Sequence, residues 1–232
     1  HEGQETSLSF DRLRPYLQGA AGTASGVLPS GVIHAETRGE IKIFVHQQAP
    51  RVVNVNWDAR WCRDGRQMSH GKTFSYVKAT LAMPYIISVI STYDDKLFYP
   101  FTLSRSAPLN GLESRCAAAP LLNVYDDARM CIGQGEISNV GKNDNPSANV
   151  VINFLRSLWN TSFNGDVCSA FATWSAKVPQ LGSIEKWEAA TKANPNFILE
   201  TGYPSSFTVE GIIRRICDIA EGTRAGATSE RN

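Results

Sequence analysis

Hydrophobic and polar positions alternate through the first half of the chain and group at helical spacing in the second. Residues 31–37 and 40–46 are β-rich, with Arg38-Gly39 between them as a hairpin turn. Residues 51–57 (RVVNVNW) interleave valine with polar side chains, the period of a half-buried strand. Residues 84–92 are a nearly continuous Ile/Val run that suits a central strand, and 97–103 form another after the turn Asp94-Asp95-Lys96. Four or five successive strands joined by short turns predict an antiparallel β-meander. Residues 106–127 read as irregular, broken by Pro108, Asn110-Gly111 and Pro120, and 131–146 as a loop. Over 147–162, Val150, Val151, Phe154, Leu155, Leu158 and Trp159 fall at helical spacing, with Ser147 as the expected N-cap. A second helix opens at Ser183 and closes at Asn194-Pro195, and a third covers 208–221. Strands first and helices afterwards define an α+β fold, a meander packed against C-terminal helices. Residues 1–24 are expected to form a helix and linker, 25–222 the domain, and 223–232 a disordered polar tail.

The chain has 232 residues, 23 Lys+Arg against 22 Asp+Glu, and 42% hydrophobic residues, a composition able to bury a full core. The near-balanced charge argues against a large nucleic-acid footprint. The most apolar run, 81–90, is about half the length a bilayer span needs and contains Pro84. The first thirty residues hold no signal-peptide core, and the His1-Glu2 start reads as a trimmed end. The five cysteines, Cys62, Cys116, Cys131, Cys168 and Cys217, are odd in number, scattered and without C-x-x-C, so a reduced, cytoplasmic protein is expected. Neither they nor His34, His46 and His70 show metal-ligand spacing, so no metal site is expected.

Candidate chemistry concentrates in residues 120–133 (PLLNVYDDARMCIG), between the strand block and the helix block. Asn123 stands eight positions before Cys131, which small residues follow. Acyl transfer at sulfur needs a reachable thiolate and a donor for the oxyanion that forms at the attacked carbon. An Asn amide can be that donor, a contribution worth ~3 kcal/mol. All four histidines precede Cys131. A free thiol of pKa about 8.5 is only a few per cent thiolate at pH 7, which suffices to receive an activated thioester and is poor for attack on an amide.

The stretch NVYDDARMCIG resembles the active-site stretch of ubiquitin-conjugating enzymes, where His-Pro-Asn is followed by a turn and the thioester cysteine at the same spacing. It is more similar to a bacterial branch, the PRTRC system protein B family, also called prokaryotic ubiquitin-conjugating-like family D. Residues 26–33 (GVLPSGVI), 49–53 (APRVV), 83–87 (MPYII), 119–124 (APLLNV) and 159–163 (WNTSF) resemble that family's segments in order, so the resemblance spans roughly 25–165. Leu121-Leu122 replace His-Pro, Asp127-Ala128 stand where a Gly turn is common, and 161–165 (TSFNG) lacks the family's terminal His. The resemblance implies a ubiquitin-conjugating-like fold and a bacterial, cytoplasmic acyltransferase without cofactor. Cys131 would accept a ubiquitin-like modifier from a ThiF-like adenylating enzyme and pass it to an amine. A deconjugating metallopeptidase of the same pathway is a further implied partner, and the setting is antiphage defence or plasmid maintenance.

Other readings stand beside these. Asn123 is an oxyanion donor or a loop-bracing Asn. Tyr125, Asp126 and Asp127 are candidates for positioning the substrate, with solvated turn acids as the plainer reading of the two carboxylates; Arg129 is expected exposed. Trp57, Arg60, Trp61 and Arg63 mark an interface or, by preference, a Trp core anchor. The other four cysteines are expected to be structural. The competing functions are a non-catalytic scaffold for the modifier or its activating enzyme, a plasmid-maintenance accessory protein, and a cysteine peptidase pairing Cys131 with His46 or His70.

Overall fold

Two prolines decide the shape of the sheet. The computed structural model describes residues 28–59, 75–132, 137, 140–141, 144–202 and 204–229. After β1 (Val32–Arg38), the chain forms β2 (Ile41–Gln48) and β3 (Arg51–Asp58), then β4 (Tyr76–Met83) and β5 (Tyr85–Tyr93). β2 pairs β5 and β3 pairs β4, both antiparallel, and the register is the same on both sides of the junction. Gln48 faces Ile86 on one side and Arg51 faces Met83 on the other, so Pro50 falls opposite Pro84. Neither proline has an N–H to donate and each has a fixed φ, so the ladder lapses there and one long ribbon is divided between two sheets.

The lower half of the ribbon joins a six-stranded sheet in the order β1-β2-β5-β6-β7-β9, completed by β6 (Lys96–Arg105), β7 (Arg115–Ala118) and β9 (Phe207–Thr208). The upper half forms a three-stranded sheet, β4-β3-β8, in which β8 (Ser162–Phe163) runs parallel to β3. The expected meander is therefore interrupted: β2 skips to β5, and β3 and β4 fold away together. The β5–β6 turn falls where expected, with Asp94 and Asp95 at φ 50° and 53°, values that short polar side chains tolerate. β4 and β7 occupy stretches whose pattern did not announce strands.

Among the described residues five α-helices follow: α1 (Pro146–Asn160), α2 (Ser169–Lys177), α3 (Ile184–Ala193), α4 (Phe197–Glu200) and α5 (Val209–Ser229). The N-cap of α1 is Asn145, whose side-chain oxygen accepts from the Ala148 N–H at 3.3 Å. Ser147, the expected cap, lies buried in the first turn and donates its hydroxyl to Asp95 at 2.6 Å, tying α1 to the β5–β6 turn. Ser183 caps α3 and Asn194 ends it, as the pattern predicts. α5 continues past Glu221 to Ser229, through most of the segment expected to be a disordered tail. The expected N-terminal helix, Arg60, Trp61, Cys62 and Arg63 lie outside the described residues. Among the described residues no helix is long and apolar enough to cross a membrane.

α1 packs on β5 and β6, and α5 on β5. The upper sheet has an aromatic core: Trp57, fully buried, meets Phe163, Phe171 and Trp187 at ring-centroid distances of 6.0, 5.1 and 5.9 Å. Trp57 is thus the expected core anchor. On the other side of β4, α3 supplies the pairing that a neighbouring strand would otherwise provide. Glu188 accepts from the Thr80 N–H at 2.8 Å, Thr191 accepts from the Ala82 N–H at 2.9 Å, and the Trp187 ring N–H donates to the Ala82 carbonyl at 3.1 Å. Thr191→Val keeps the shape and leaves the buried Ala82 N–H without an acceptor. The substitution is expected to cost about 1–3 kcal/mol in urea unfolding, whereas Glu188→Gln, still an acceptor at a solvent-exposed site, is expected to stay near wild type.

Candidate functional site

The cysteine segment begins in the core. Leu121 and Leu122, which stand where the resemblance would place His-Pro, are fully buried and anchor the approach by packing. Asn123 then adopts φ 71°, a left-handed conformation that Asn enters more readily than most residues, and turns the chain. The return is a small hairpin. Val124 bridges Met130, the Tyr125 N–H donates to the Arg129 carbonyl at 2.9 Å, and the Ala128 N–H donates to the Tyr125 carbonyl at 3.0 Å. Its outcome is direct contact between the two candidate residues: the Cys131 N–H donates to the Asn123 carbonyl at 2.7 Å. The eight-position spacing is the length of this hairpin.

Three elements hold the hairpin. β6 is bonded along one side, with the Thr102 N–H to the Ala128 carbonyl and the Met130 N–H to the Pro100 carbonyl, each at 2.9 Å. α5 reaches it through Arg215, whose guanidinium donates to the Asp127 carboxylate at 2.7 Å and lies 5.6 Å from the Phe101 ring centroid. The turn after β8 clasps Asn123. The Asn123 N–H donates to the Val167 carbonyl at 2.7 Å, and the Asn164 N–H donates to Asn123 Oδ1 at 3.1 Å. A backbone N–H can only donate, so the side-chain atom facing Asn164 is the oxygen, and Nδ2 points to the other side. Among the described residues Nδ2 makes no hydrogen bond.

The neighbouring candidates separate. Asp127 is no solvated turn acid: it accepts from the Arg129 backbone N–H at 3.1 Å, from Arg129 Nε at 2.8 Å and from Arg215. Arg129, expected exposed, is half-buried, with its guanidinium 5.0 Å from the Tyr125 ring centroid. Asp126 is exposed, and its backbone N–H donates to Ser169 Oγ at 2.7 Å.

The Cys131 side chain is half-buried and opens on a groove of about 290 Å³, near the lower limit for small-ligand sites. Met130, Ile132, Phe154 and Leu158 give it an apolar lining, and Ser157 and Thr161 a polar end at the C-terminus of α1. A second hollow of about 280 Å³, beside Lys42, Tyr93 and Asp95, lies at the β5–β6 turn and contains none of the expected residues. Among the described residues no histidine lines the groove. His46 lies on β2, two strands from β6, where burial lowers its pKa and it meets Ser30, so the Cys131–His46 pair of a peptidase is not formed; His70 lies outside the described residues.

Cys116, Cys168 and Cys217 fit their structural assignment. Burial pushes the Cys116 thiol up to about 12 against the pull of Arg105, and raises Cys168 and, against Arg38, Cys217. Such thiols stay protonated and poorly nucleophilic. Among the described residues no three His, Cys, Asp or Glu side chains gather as a metal site would require. The pattern gave no sign of Asn164 and Val167, because their bonds to Asn123 join segments that only the fold brings together.

No family model, curated protein or solved structure matches the chain.

Burial alone would raise the Asp127 carboxyl; the Arg129 N–H and the two guanidinium groups outweigh it and hold the pKa below the ordinary carboxylate value. A depressed folded pKa contributes stability above the unfolded value of about 3.9, lost as pH falls through the folded one. Asp127→Asn is therefore expected to lower stability by about 1 kcal/mol at pH 7. The gap should narrow as pH falls below about 3.9 and close once the folded carboxyl is protonated, in paired urea titrations.

Proposed function

We propose that this chain carries a ubiquitin-like protein as a thioester on Cys131 and transfers it to an amine. The supporting observation is the backbone bond that sets Cys131 against Asn123, together with an Asn amide whose donor end is unspent and a thiol at the mouth of a groove. The order of sheet, Asn–Cys loop and helices agrees with the ubiquitin-conjugating-like fold that the sequence resemblance implies.

In the first step the Cys131 thiolate attacks the carbonyl carbon of the thioester between modifier and activating enzyme. A C–S bond forms, the carbonyl oxygen takes the negative charge, and collapse expels the activating enzyme's thiolate. In the second step an amine nitrogen attacks the new thioester, gives up a proton to solvent, and displaces the Cys131 thiolate to leave an amide. Asn123 Nδ2–H would bond the oxyanion in both steps. Because the thioester arrives activated, at the expense of ATP on a ThiF-like enzyme, the transfer needs no histidine base in the groove. Asp127 is engaged by Arg129 and Arg215, which leaves Asp126 as the carboxylate free to meet an incoming amine. The modifier and activating enzyme are the required partners, a deconjugating metallopeptidase is a further one, and the setting is a bacterial cytoplasm.

The test is a charging assay with a bacterial ubiquitin-like protein, its activating enzyme and ATP. Wild type is expected to give an adduct cleaved by thiol reductant, Cys131→Ala none, and Cys131→Ser a reductant-resistant ester. Asn123→Gly keeps the left-handed turn and removes the amide, and should slow charging by about 10²–10³-fold. An adduct that survives Cys131→Ala overturns the proposal, and a modifier bound tightly without any adduct makes the chain a scaffold.

A further inference from the structure

We propose that Asp58, remote in sequence from both Asn123 and Cys131, is a positioning residue that holds the Asn123 amide in its donor orientation. The role rests on Cys131 being an acyl acceptor. Asp58 is the last residue of β3 and is fully buried. Burial of a carboxylate is costly unless its oxygens are bonded. One of them, Oδ2, accepts from the Gly165 N–H at 3.0 Å.

Gly165 belongs to the turn after β8, and that turn is placed by β3 itself: β8 runs parallel to β3 with Trp57 opposite Phe163, so the chain leaves β8 beside Asp58. The residue before Gly165 supplies the Asn164 N–H that holds Asn123 Oδ1, and Val167 supplies the carbonyl that holds the Asn123 N–H. Asp58 thus fixes the middle of the turn whose two flanks grip Asn123. A bond to so deeply buried an acceptor is costly to lose, because the group left behind cannot turn to water. Without it the turn can shift, and the Asn123 amide can rotate. Turned over, the amide would present Oδ1 where an oxyanion develops, repelling the charge it otherwise binds. The buried carboxylate therefore acts on the reaction through the orientation of one planar group two bonds away.

Two reactions of the same thiol separate this role from general support of the fold. Acylation by the 2-mercaptoethanesulfonate thioester of N-acetylglycine forms a Cys131–acyl bond through a tetrahedral oxyanion and releases the mercaptan. Alkylation by iodoacetamide forms a C–S bond, releases iodide and develops no oxyanion. With the full chain, and Cys131 followed by peptide mass mapping, Asp58→Ala is expected to slow acylation by about 10- to 100-fold, less than outright loss of an oxyanion donor. Alkylation should stay within about twofold of wild type, since it asks nothing of the amide. Asp58→Asn keeps an acceptor oxygen for Gly165 and should recover most of the acylation rate. Asp58→Ala combined with Asn123→Gly should acylate no more slowly than Asn123→Gly alone, because nothing remains to be oriented.

Unchanged acylation in Asp58→Ala, or equal loss of acylation and alkylation, overturns the proposal. Should Asp58→Ala fail to fold, hydrogen exchange of the wild type decides. The amides of Asn123, Asn164 and Gly165 are expected to open as one unit, and a Gly165 amide that exchanges freely while Asn123 stays protected overturns the proposal. A wild-type Cys131 that takes the small acyl group but is not charged by an activating enzyme overturns the carrier reading and leaves the role of Asp58 standing.

Discussion

The site depends on an absence: the hydrogen bonds that Pro50 and Pro84 cannot donate. Had either position carried an N–H, the unbroken register between the two arms would favour one long flat hairpin. Because both lack it at the same level, β3 swings away from the six-stranded sheet and its free side becomes available to β8. The turn after β8 then reaches Asn123. The candidate site is thus held by both sheets, by β6 on one side and by the turn after β8 on the other, and those two sheets are one ribbon divided where a proline pair breaks the ladder.

The cysteine segment gains order from its surroundings rather than from regular structure of its own. It has one isolated bridge within itself, one to β6 and two left-handed residues, Asn123 and Ala128, yet the sheet, α5 and the post-β8 turn each bond to a different part of it. The backbone at Cys131 is fixed while its side chain faces an open groove. That combination suits a nucleophile, which gains from a defined position and loses from deep burial. The contrast with Cys116 shows the alternative: the same residue type inside the core has its ionisation suppressed.

What could be read from the chain follows the range of the interactions. The β5–β6 turn, the Ser183 cap and the buried face of Trp57 rest on local rules and were legible. β7 was not, because Arg-Cys-Ala-Ala carries no β-branched side chain and becomes a strand only by pairing with β6 and β9. The pattern points to Ser147 as the cap of α1, and nothing local shows that Asp95 claims its hydroxyl. Asp127 read as a solvated acid since its partner Arg215 lies in the last helix. The adjacency of Asn123 and Cys131 was legible as spacing, whereas the clasp that orients the amide comes from β3 and the post-β8 turn and has no local signature.

One further property follows from the way α3 lies along β4. A strand at a sheet margin ordinarily presents a row of unsatisfied peptide groups on which another chain can add, the first step towards runaway intermolecular pairing. Here successive positions on that margin are filled by side chains, Glu188, Thr191 and Trp187, which bond like a strand but offer no second row beyond themselves. The helix is a terminator: it completes the chemistry of the sheet and ends its growth in the same contact. On this margin the chain can in this way remain separate from copies of itself.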